Sequence, residues 1–118
     1  MDTLIIGNQP AAERRAAIAA AWRSSVPEAA ARLDFDDLDA AWRLLTAKRR
    51  EILRAMAGQG PLSIREIARR VGRDVHAVHN DTRALYLAGV IDREADGRMV
   101  LPYEIIRFEF TFDSRRAA

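Results

Sequence analysis

The segment Ser63–Asp74 constrains the fold of this chain more than any other part of its sequence. Ser63 and Glu66 form the Ser-x-x-Glu pattern of a capping box at a helix N-terminus. Apolar residues then recur at the spacing of one helix face, namely Ile64, Ile67, Ala68 and Val71. Because Gly72 favours a left-handed helix end, the pattern predicts a short helix followed at once by a tight turn.

Two further helices flank this turn in the sequence. After it, Asp74 is a good N-cap for a helix that runs to about Ala88 and ends at Gly89. Before it, Thr46 is a candidate N-cap for a helix that stops at Gly58-Gln59-Gly60-Pro61. The sequence therefore predicts three consecutive helices.

A predicted β-hairpin follows the third helix. The segments Val90–Glu94 and Arg98–Leu101 are predicted strands, and Asp96-Gly97 between them is one of the strongest short hairpin signals. Three helices and a hairpin are typical of a winged helix-turn-helix, which places its third helix in a DNA groove. We expect this domain at residues 46–103 of an α+β, mainly α chain.

The remaining segments are expected to form an N-terminal extension and a C-terminal strand. Residues 1–45 predict a strand at Leu4–Ile6, a helix from Gln9 to Arg23 and a second helical piece that reaches about Leu33. Residues 104–118 contain a strictly alternating strand with one apolar face, formed by Ile106, Phe108, Phe110 and Phe112. That face is too apolar for an exposed edge, so we expect it in a homodimer interface, assisted by Leu4–Ile6.

Positive charge is concentrated in the middle of the chain. From Arg43 to Arg73 there are nine basic residues and two acids, a balance of +7, whereas Met1–Asp39 has four Arg and seven acids, a balance of −3. A basic centre behind an acidic N-terminal part is typical of a DNA-binding face beside an assembly region. The alternative is a compositional bias of the genome, because 18 of the 19 basic residues are Arg.

Helical phase selects the residues expected to contact double-stranded DNA. At about 100° per residue, Val75, Val78, Thr82, Leu85 and Tyr86 share the core face of the third helix. The opposite face and its neighbours give the predicted DNA contacts, which are Ser63, Arg65, Arg69, Arg73, His76, Ala77, His79, Asn80, Arg83, Arg93 and Arg98. Asn80 and Arg83 are the expected base readers, whereas Arg65, Arg69 and Arg73 are expected to contact phosphate. His79 is nearer the core flank and is expected to pack or to contact phosphate. Arg93 and Arg98 flank the hairpin tip and are expected near a minor groove.

Arg49 lies where the first helix of the motif should be apolar. It shares a face with Leu45, Ile52 and Met56, and a buried guanidinium needs a partner. Asp81 at the edge of the third helix is the candidate, and the resulting ion pair would fix the angle between the two helices. The alternative is that Arg49 extends to solvent and contacts phosphate.

Several classes of function have no support in the sequence. His76-x-x-His79 lacks the further ligands of a metal site, and no catalytic triad, paired carboxylates or phosphate-binding loop is evident. The Ala-rich segment from Pro10 to Arg32 is interrupted by charges and cannot span a bilayer. We therefore expect a cytoplasmic, non-enzymatic protein with no cofactor, no metal and no membrane partner.

The same residues resemble a family of prokaryotic winged helix-turn-helix transcriptional regulators. The resemblance is carried by three segments, Leu44–Arg49, Leu62–Ala68 with Gly72–Val75, and Val78–Asp81 leading to Leu85 and Gly89–Ile91. This chain has Ala47 where the family usually has Pro. The resemblance implies a DNA-binding regulator, and members are often encoded beside small toxin genes.

Together these features predict a sequence-specific, dimeric DNA-binding repressor. The rival interpretation is an antitoxin that neutralises a toxin protein through its terminal regions and autoregulates its operon. The apolar surface outside residues 46–101 discriminates between them, because a homodimer that used all of it would leave little for a toxin.

Overall fold

The computed structural model describes residues 2–24 and 31–116, and its fold is α+β. The elements are β1 (Thr3–Gly7), α1 (Ala11–Ser24), β2 (Ala31–Asp34), α2 (Leu38–Leu44), α3 (Ala47–Met56), α4 (Ile64–Val71), α5 (Val75–Ala88), β3 (Asp92–Arg93), β4 (Met99–Val100) and β5 (Ile105–Glu109). A single 3-10 turn, Ser114–Arg116, follows β5.

The three central helices begin and end at the residues that the sequence predicts. The side chains of Thr46, Ser63 and Asp74 accept hydrogen bonds from the backbone amides of the third following residue, at 3.1–3.3 Å. Gly72 and Gly89 end α4 and α5 in the left-handed conformation, with φ of 67° and 89°. These caps satisfy backbone groups that helix ends leave unpaired, so local residue types determine the boundaries of α4 and α5.

The hairpin is present, although its strands are shorter than predicted. β3 and β4 are antiparallel and contain two residues each, with Arg93 opposite Met99. Val90 and Ile91 belong to the buried core instead of extending β3. Leu62 bridges to Met99 through two backbone hydrogen bonds of 2.8 Å, which ties the hairpin to the segment before α4.

A second sheet joins the two ends of the chain. It has the order β2-β1-β5 with all strands parallel, so that Ile6 lies beside Leu33 on one side and Phe108 on the other. Gly7 permits this close pairing, because a Cβ there would lie under 3.0 Å from the carbonyl oxygen of Glu109. The strands of the N-terminal part, β1 and β2, and the strand of the C-terminal part, β5, therefore belong to one sheet.

One face of the parallel sheet completes the core of the helical unit, which consists of α3, α4, α5 and the hairpin. Leu4 and Ile6 are buried in the same cluster as Ile52, Val78 and Leu85. α1 packs little, since its apolar residues Ile18 and Trp22 are 51% and 82% exposed. Most of the hydrophobic stabilisation therefore comes from α3, α4, α5, the hairpin and one sheet face.

The predicted second helical piece of the N-terminal part is wrong where it can be checked. Residues 25–30 lie outside the described residues, but Ala31–Asp34 form β2. Ala31 favours helix in isolation, and pairing with Leu4 of β1 overrides that preference.

The expected helpers of a dimer interface also need correction. Leu4–Ile6 lie in the central strand of the sheet, where both edges of β1 are already paired. Leu4 and Ile6 are 2% and 0% exposed within a single chain, so their side chains are not available to a second copy.

Candidate nucleic-acid interface

α5 turns a polar side away from the core. Val78, Thr82 and Leu85 are fully buried, and His76, Asn80 and Arg83 are exposed. The small residues Ala77 and Ala84 are half-buried along the same helix. The helical phase predicted from the sequence is therefore correct for these residues.

Three residues of α5 lie differently from the prediction. Val75 and Tyr86, expected in the core, are each 41% exposed, and His79, expected near the core flank, is exposed. All three residues line grooves beside the hairpin, so their side chains face open space instead of a packed helix surface. The backbone carbonyl oxygen of His79 accepts a hydrogen bond from the hydroxyl of Thr82 at 3.0 Å, which satisfies this buried polar group.

A groove separates α5 from the hairpin. Its volume is about 310 Å³, and its lining residues are Ile64, His79, Thr82, Arg83, Tyr86, Leu87, Arg93, Gly97 and Met99. The side chains of Arg83 and Arg93 come from its two opposite walls. The groove thus places basic residues of the helix and the hairpin on one surface.

A second hollow lies between the hairpin tip and the starts of α4 and α5. It has a volume of about 340 Å³ and is lined by Ser63, Ile64, Arg65, Val75, His79, Asp96, Gly97 and Arg98. His79 is shared by the groove and this hollow. Residues that the sequence predicts on three separate elements are therefore brought together.

The α4 residues of the predicted interface differ in how free they are. Arg65 is exposed, whereas Arg69 pairs with Glu66 at 2.6 Å and Arg70 pairs with the same carboxylate at 2.9 Å. Hydrogen bonds from Arg69 and Arg70 lower the pKa of Glu66. Ser63 uses its hydroxyl as the N-cap acceptor, so the oxygen lone pairs are partly engaged before any ligand arrives.

The hairpin arginines are exposed on either side of the turn. Arg98 contacts Asp96 through its Nε at 2.8 Å, and both side chains are about half-exposed. Arg93 faces the groove beside α5. Because an exposed ion pair is worth little, Asp96 does not prevent Arg98 from reaching a stronger acceptor.

The ion pair between Arg49 and Asp81 is confirmed. The Nε of Arg49 lies 2.9 Å from Oδ1 of Asp81, with side chains 22% and 16% exposed. Arg49 also donates from Nη1 to the carbonyl oxygen of Leu44 at 3.0 Å. The alternative, in which Arg49 extends to solvent and phosphate, does not describe this side chain.

Arg73 requires a correction, because it was expected to contact phosphate. Its Nη2 donates to Oδ2 of Asp81 at 2.8 Å, its side chain is only 17% exposed, and its Nη1 is buried without a partner among the described residues. Asp81 has two carboxylate oxygens and thus accepts from both arginines. The Arg49–Asp81–Arg73 triad joins α3, the α4–α5 turn and α5. The Arg73 side chain is therefore a structural contact and not part of the exposed surface.

The triad changes the acid–base behaviour of Asp81. Burial alone raises the pKa of its carboxyl, but hydrogen bonds from Arg73 and Arg49 outweigh burial, so the pKa lies below its ordinary value of 3.8. Asp81 therefore carries its negative charge whenever the chain is folded near neutral pH.

The basic run from Arg43 to Arg73 is less available than its count suggests. Five of its nine members contact groups of their own chain in the described residues. These are Arg49 and Arg73 on Asp81, Arg69 and Arg70 on Glu66, and Arg50 on Trp42 and the Leu45 carbonyl oxygen. Arg49 and Arg73 are largely buried on Asp81 and are not available to phosphate, whereas the pairs of Arg69 and Arg70 with Glu66 are exposed and therefore weak. Local charge counting therefore overstates the number of phosphates that this run can neutralise by at least Arg49 and Arg73.

The predicted dimer residues divide into two groups. Ile106 and Phe110 are half-buried against the core of their own chain, so they do not need a second copy to cover them. Phe108 and Phe112 are 43% and 85% exposed. The apolar surface that this face leaves to solvent is therefore mainly that of Phe108 and Phe112, and burial of the whole face between two chains stays a prediction.

Two groove residues were not selected from the sequence. Tyr86 was assigned to the core, and Leu87, 68% exposed, was assigned no role. The sequence signal that could have identified them is an aromatic residue next to a leucine near the C-terminus of the third helix.

In the described residues, no group of three potential metal ligands is found, and no helix combines the length and hydropathy needed to cross a bilayer.

The described residues thus define an α+β protein in which three helices and a hairpin carry a convergent polar surface. A family model with the description HVO_A0114 matches residues 44–108, which is more than half of the chain, and the chain belongs to this family. The match includes α3, α4, α5, the hairpin and most of β5. The chain matches no curated protein.

Proposed function

We propose that this chain is a winged helix-turn-helix protein that binds double-stranded DNA and regulates transcription as a homodimer. The single observation that carries this proposal is the exposed side of α5, flanked by the hairpin on one side and by α4 on the other. In this interpretation α5 is the recognition helix and β3–β4 is the wing.

The chemistry of α5 fits the major groove. The half-buried Ala77 and Ala84 allow the backbone to come close to DNA, Asn80 can bond an adenine edge at two points, and Arg83 can do the same at guanine. Arg65 would contact phosphate, which positions the protein without reading sequence, and Arg93 and Arg98 of the hairpin would lie near the minor groove. A repressor needs no more than this, because occupying a promoter is sufficient to block transcription.

Salt dependence tests the electrostatic part of the proposal. We expect binding to a random duplex of about three helical turns, measured by fluorescence anisotropy, to weaken steeply with salt, with a log–log slope of roughly −0.9 per phosphate contact. Arg65→Ala should reduce the slope by about one contact. Arg54→Ala is the matched control, because Arg54 is also an exposed helical arginine but lines a groove with Leu101 and Tyr103, apart from the hairpin tip. An isotherm unchanged between low and high salt contradicts the proposal.

A second function, antitoxin activity, is favoured by the surface of α1. Ile18 and Trp22 are one helical turn apart and largely exposed, so the homodimer proposed here leaves apolar surface for another protein. If a growth-inhibiting small protein is encoded beside this gene, co-expression of the two proteins tests it. An antitoxin is expected to restore growth, and Ile18→Glu with Trp22→Glu to abolish the rescue without changing DNA binding. Failure of the wild-type chain to restore growth would reject this second function alone.

A further inference from the structure

β5 is one of the two open edges of the parallel sheet in the described residues, and β2 is the other. β1 pairs with one side of β5, and no described strand pairs with the other. β2 has four residues, whereas β5 has five and is followed by Thr111, whose backbone bonds to the Asn8 side chain next to β1. An open strand edge is a template for strand addition.

The hydrogen bonds at both ends of β5 define which backbone groups face outward. At the start of β5, Ile105 donates to the carbonyl oxygen of Asp2 at 3.3 Å, an oxygen that also accepts from Glu104, the residue before the strand, at 3.0 Å. Thr111 donates to Oδ1 of Asn8 at 3.0 Å and accepts from Nδ2 of Asn8 at 2.8 Å. Odd-numbered residues thus direct their backbone groups to β1. Because successive residues alternate, Ile106, Phe108 and Phe110 direct theirs to the open edge.

The exposed charges of β5 are complementary to those of a second, antiparallel β5. Arg107 and Glu109 lie on one face, 58% and 48% exposed, with Phe108 between them on the other. In an antiparallel pair of two β5 strands centred on Phe108, each Arg107 lies opposite a Glu109, and Phe108 lies opposite its own copy. In a pair centred on Arg107, two arginines oppose each other, which is unfavourable.

The backbone supports the same register. Centred on Phe108, the outward groups of Phe108 and Ile106 form hydrogen-bonded pairs, and Arg107 and Glu109 occupy the non-hydrogen-bonded positions, where side chains are closest. Within one chain, Glu109 lies only 3.8 Å from Arg32 and 3.9 Å from Arg107, at the outer limit of an ion pair. Its carboxylate can therefore accept an additional arginine.

Aromatic residues lie beside the same edge. The rings of Phe108 and Trp42 are 5.9 Å apart, and the two side chains remain 43% and 42% exposed. A second copy on the Phe108 axis would place two such pairs side by side and would cover apolar surface that solvent now contacts.

We propose that the partner of the β5 edge is a second copy of this chain, in antiparallel register centred on Phe108, which makes one continuous six-stranded sheet. This deepens the proposed function by giving its homodimer a defined interface. The experiments below contain no DNA, so failure of this interface and failure of DNA binding are distinguishable.

Cysteine cross-linking tests the register, and the chain has no native cysteine. Phe108→Cys faces its own copy at a Cα separation of about 5.5 Å, within disulfide range, whereas Arg107→Cys faces Glu109. Under mild oxidation of the full chain we expect a covalent dimer from Phe108→Cys and little from Arg107→Cys. Efficient cross-linking of Arg107→Cys alone, or of neither variant, overturns the register.

Charge reversal tests the interface without a covalent bond. Arg107→Glu places four acids across the axis, and Glu109→Arg places four arginines, so each variant should raise the dimer dissociation constant by about tenfold or more in sedimentation equilibrium. Mixed together, the two variants have opposite charges at every pair and should form a heterodimer.

Wild-type chain that sediments as a monomer, two variants that dimerise as tightly as wild type, or a mixture without heterodimer each contradict the proposal. Circular dichroism of each variant controls for folding, since Glu109 also lies near Arg32 in its own chain. Strand addition by a different protein predicts that the wild-type chain alone is monomeric. A wild-type dimer in sedimentation equilibrium therefore rejects that alternative.

Discussion

At the scale of single residues, Asp81 is the connection between structure and the proposed interface. One carboxylate holds Arg49 of α3 and Arg73 of the turn before α5, and it sits on the helix that carries Asn80 and Arg83. The triad therefore orients α5 through charged contacts at the edge of the core. A partly buried charge without its partners is costly, so the three residues stabilise the fold as a group.

We expect Asp81→Asn to destabilise the chain by about 2–3 kcal/mol at pH 7, because two guanidinium groups lose a charged acceptor. The pKa of Asp81 is lowered on folding, so its contribution is present above its ordinary pKa and is lost as pH falls through the folded value. Urea unfolding at pH 7 and near pH 3 should show a gap between wild type and variant that narrows in acid. Asp36→Asn, an exposed substitution of the same kind, should show no gap. Equal gaps at both pH values would assign the loss to packing instead of charge.

Asn80 and Arg83 are expected to read bases, and Arg65 to hold phosphate. Asn80→Ala or Arg83→Ala should cost about 1–3 kcal/mol on a preferred duplex and reduce discrimination against others. Arg65→Ala should weaken all duplexes about equally. Competition binding with preferred and random DNA measures both effects, and equal losses for all three variants would show that α5 does not read sequence.

At the scale of elements, the parts that were predictable are those that short-range chemistry determines. Thr46, Ser63 and Asp74 cap α3, α4 and α5 by accepting hydrogen bonds from amides three residues ahead, and Gly72 and Gly89 end α4 and α5. The starts of all three helices and the ends of α4 and α5 therefore follow from neighbours in the sequence. These are contacts that need no knowledge of the rest of the fold.

The parallel sheet was not predictable in the same way. β1 and β5 pair although about a hundred residues separate them, as the register Ile5 beside Arg107 shows. The sequence of a short strand does not indicate which distant strand it pairs with, and the sequence pattern of Ala31–Asp34 predicts a helix. The same limit applies to Arg73, which looks exposed until α5 brings Asp81 beside it.

The pairing of β1 with β5 gives a prediction for Gly7. Gly7→Ala places a Cβ against the Glu109 carbonyl oxygen, so the strands must separate, and we expect a loss of about 1–3 kcal/mol in unfolding free energy. Gly58→Ala is the control, since its Cβ meets no atom and only its positive φ of 69° opposes the change. Thermal unfolding that ranks Gly58→Ala as the more damaging change would be inconsistent with the close β1–β5 contact.

At the scale of the whole molecule, the sheet and the interface lie on different parts of one core. α5 and the hairpin expose the proposed DNA-binding surface, and the sheet packs on the helical unit through Leu4 and Ile6. The described residues that line the two grooves beside α5 include none from β5, so joining two chains at β5 does not use that surface. A dimer that binds DNA by this class of motif places its recognition helices about 34 Å apart. The proposed dimer thus converts two weak surfaces into one site with a defined spacing.

Selection of duplexes from a random library by the wild-type chain is the most direct test of this account. We predict enrichment of an inverted repeat with half-sites about 10 bp apart, together with loss of that enrichment in Asn80→Ala and Arg83→Ala but not in Arg54→Ala. A pool that remains random after repeated selection, or an enriched motif that both α5 variants still select unchanged, would contradict the claim that α5 recognises DNA.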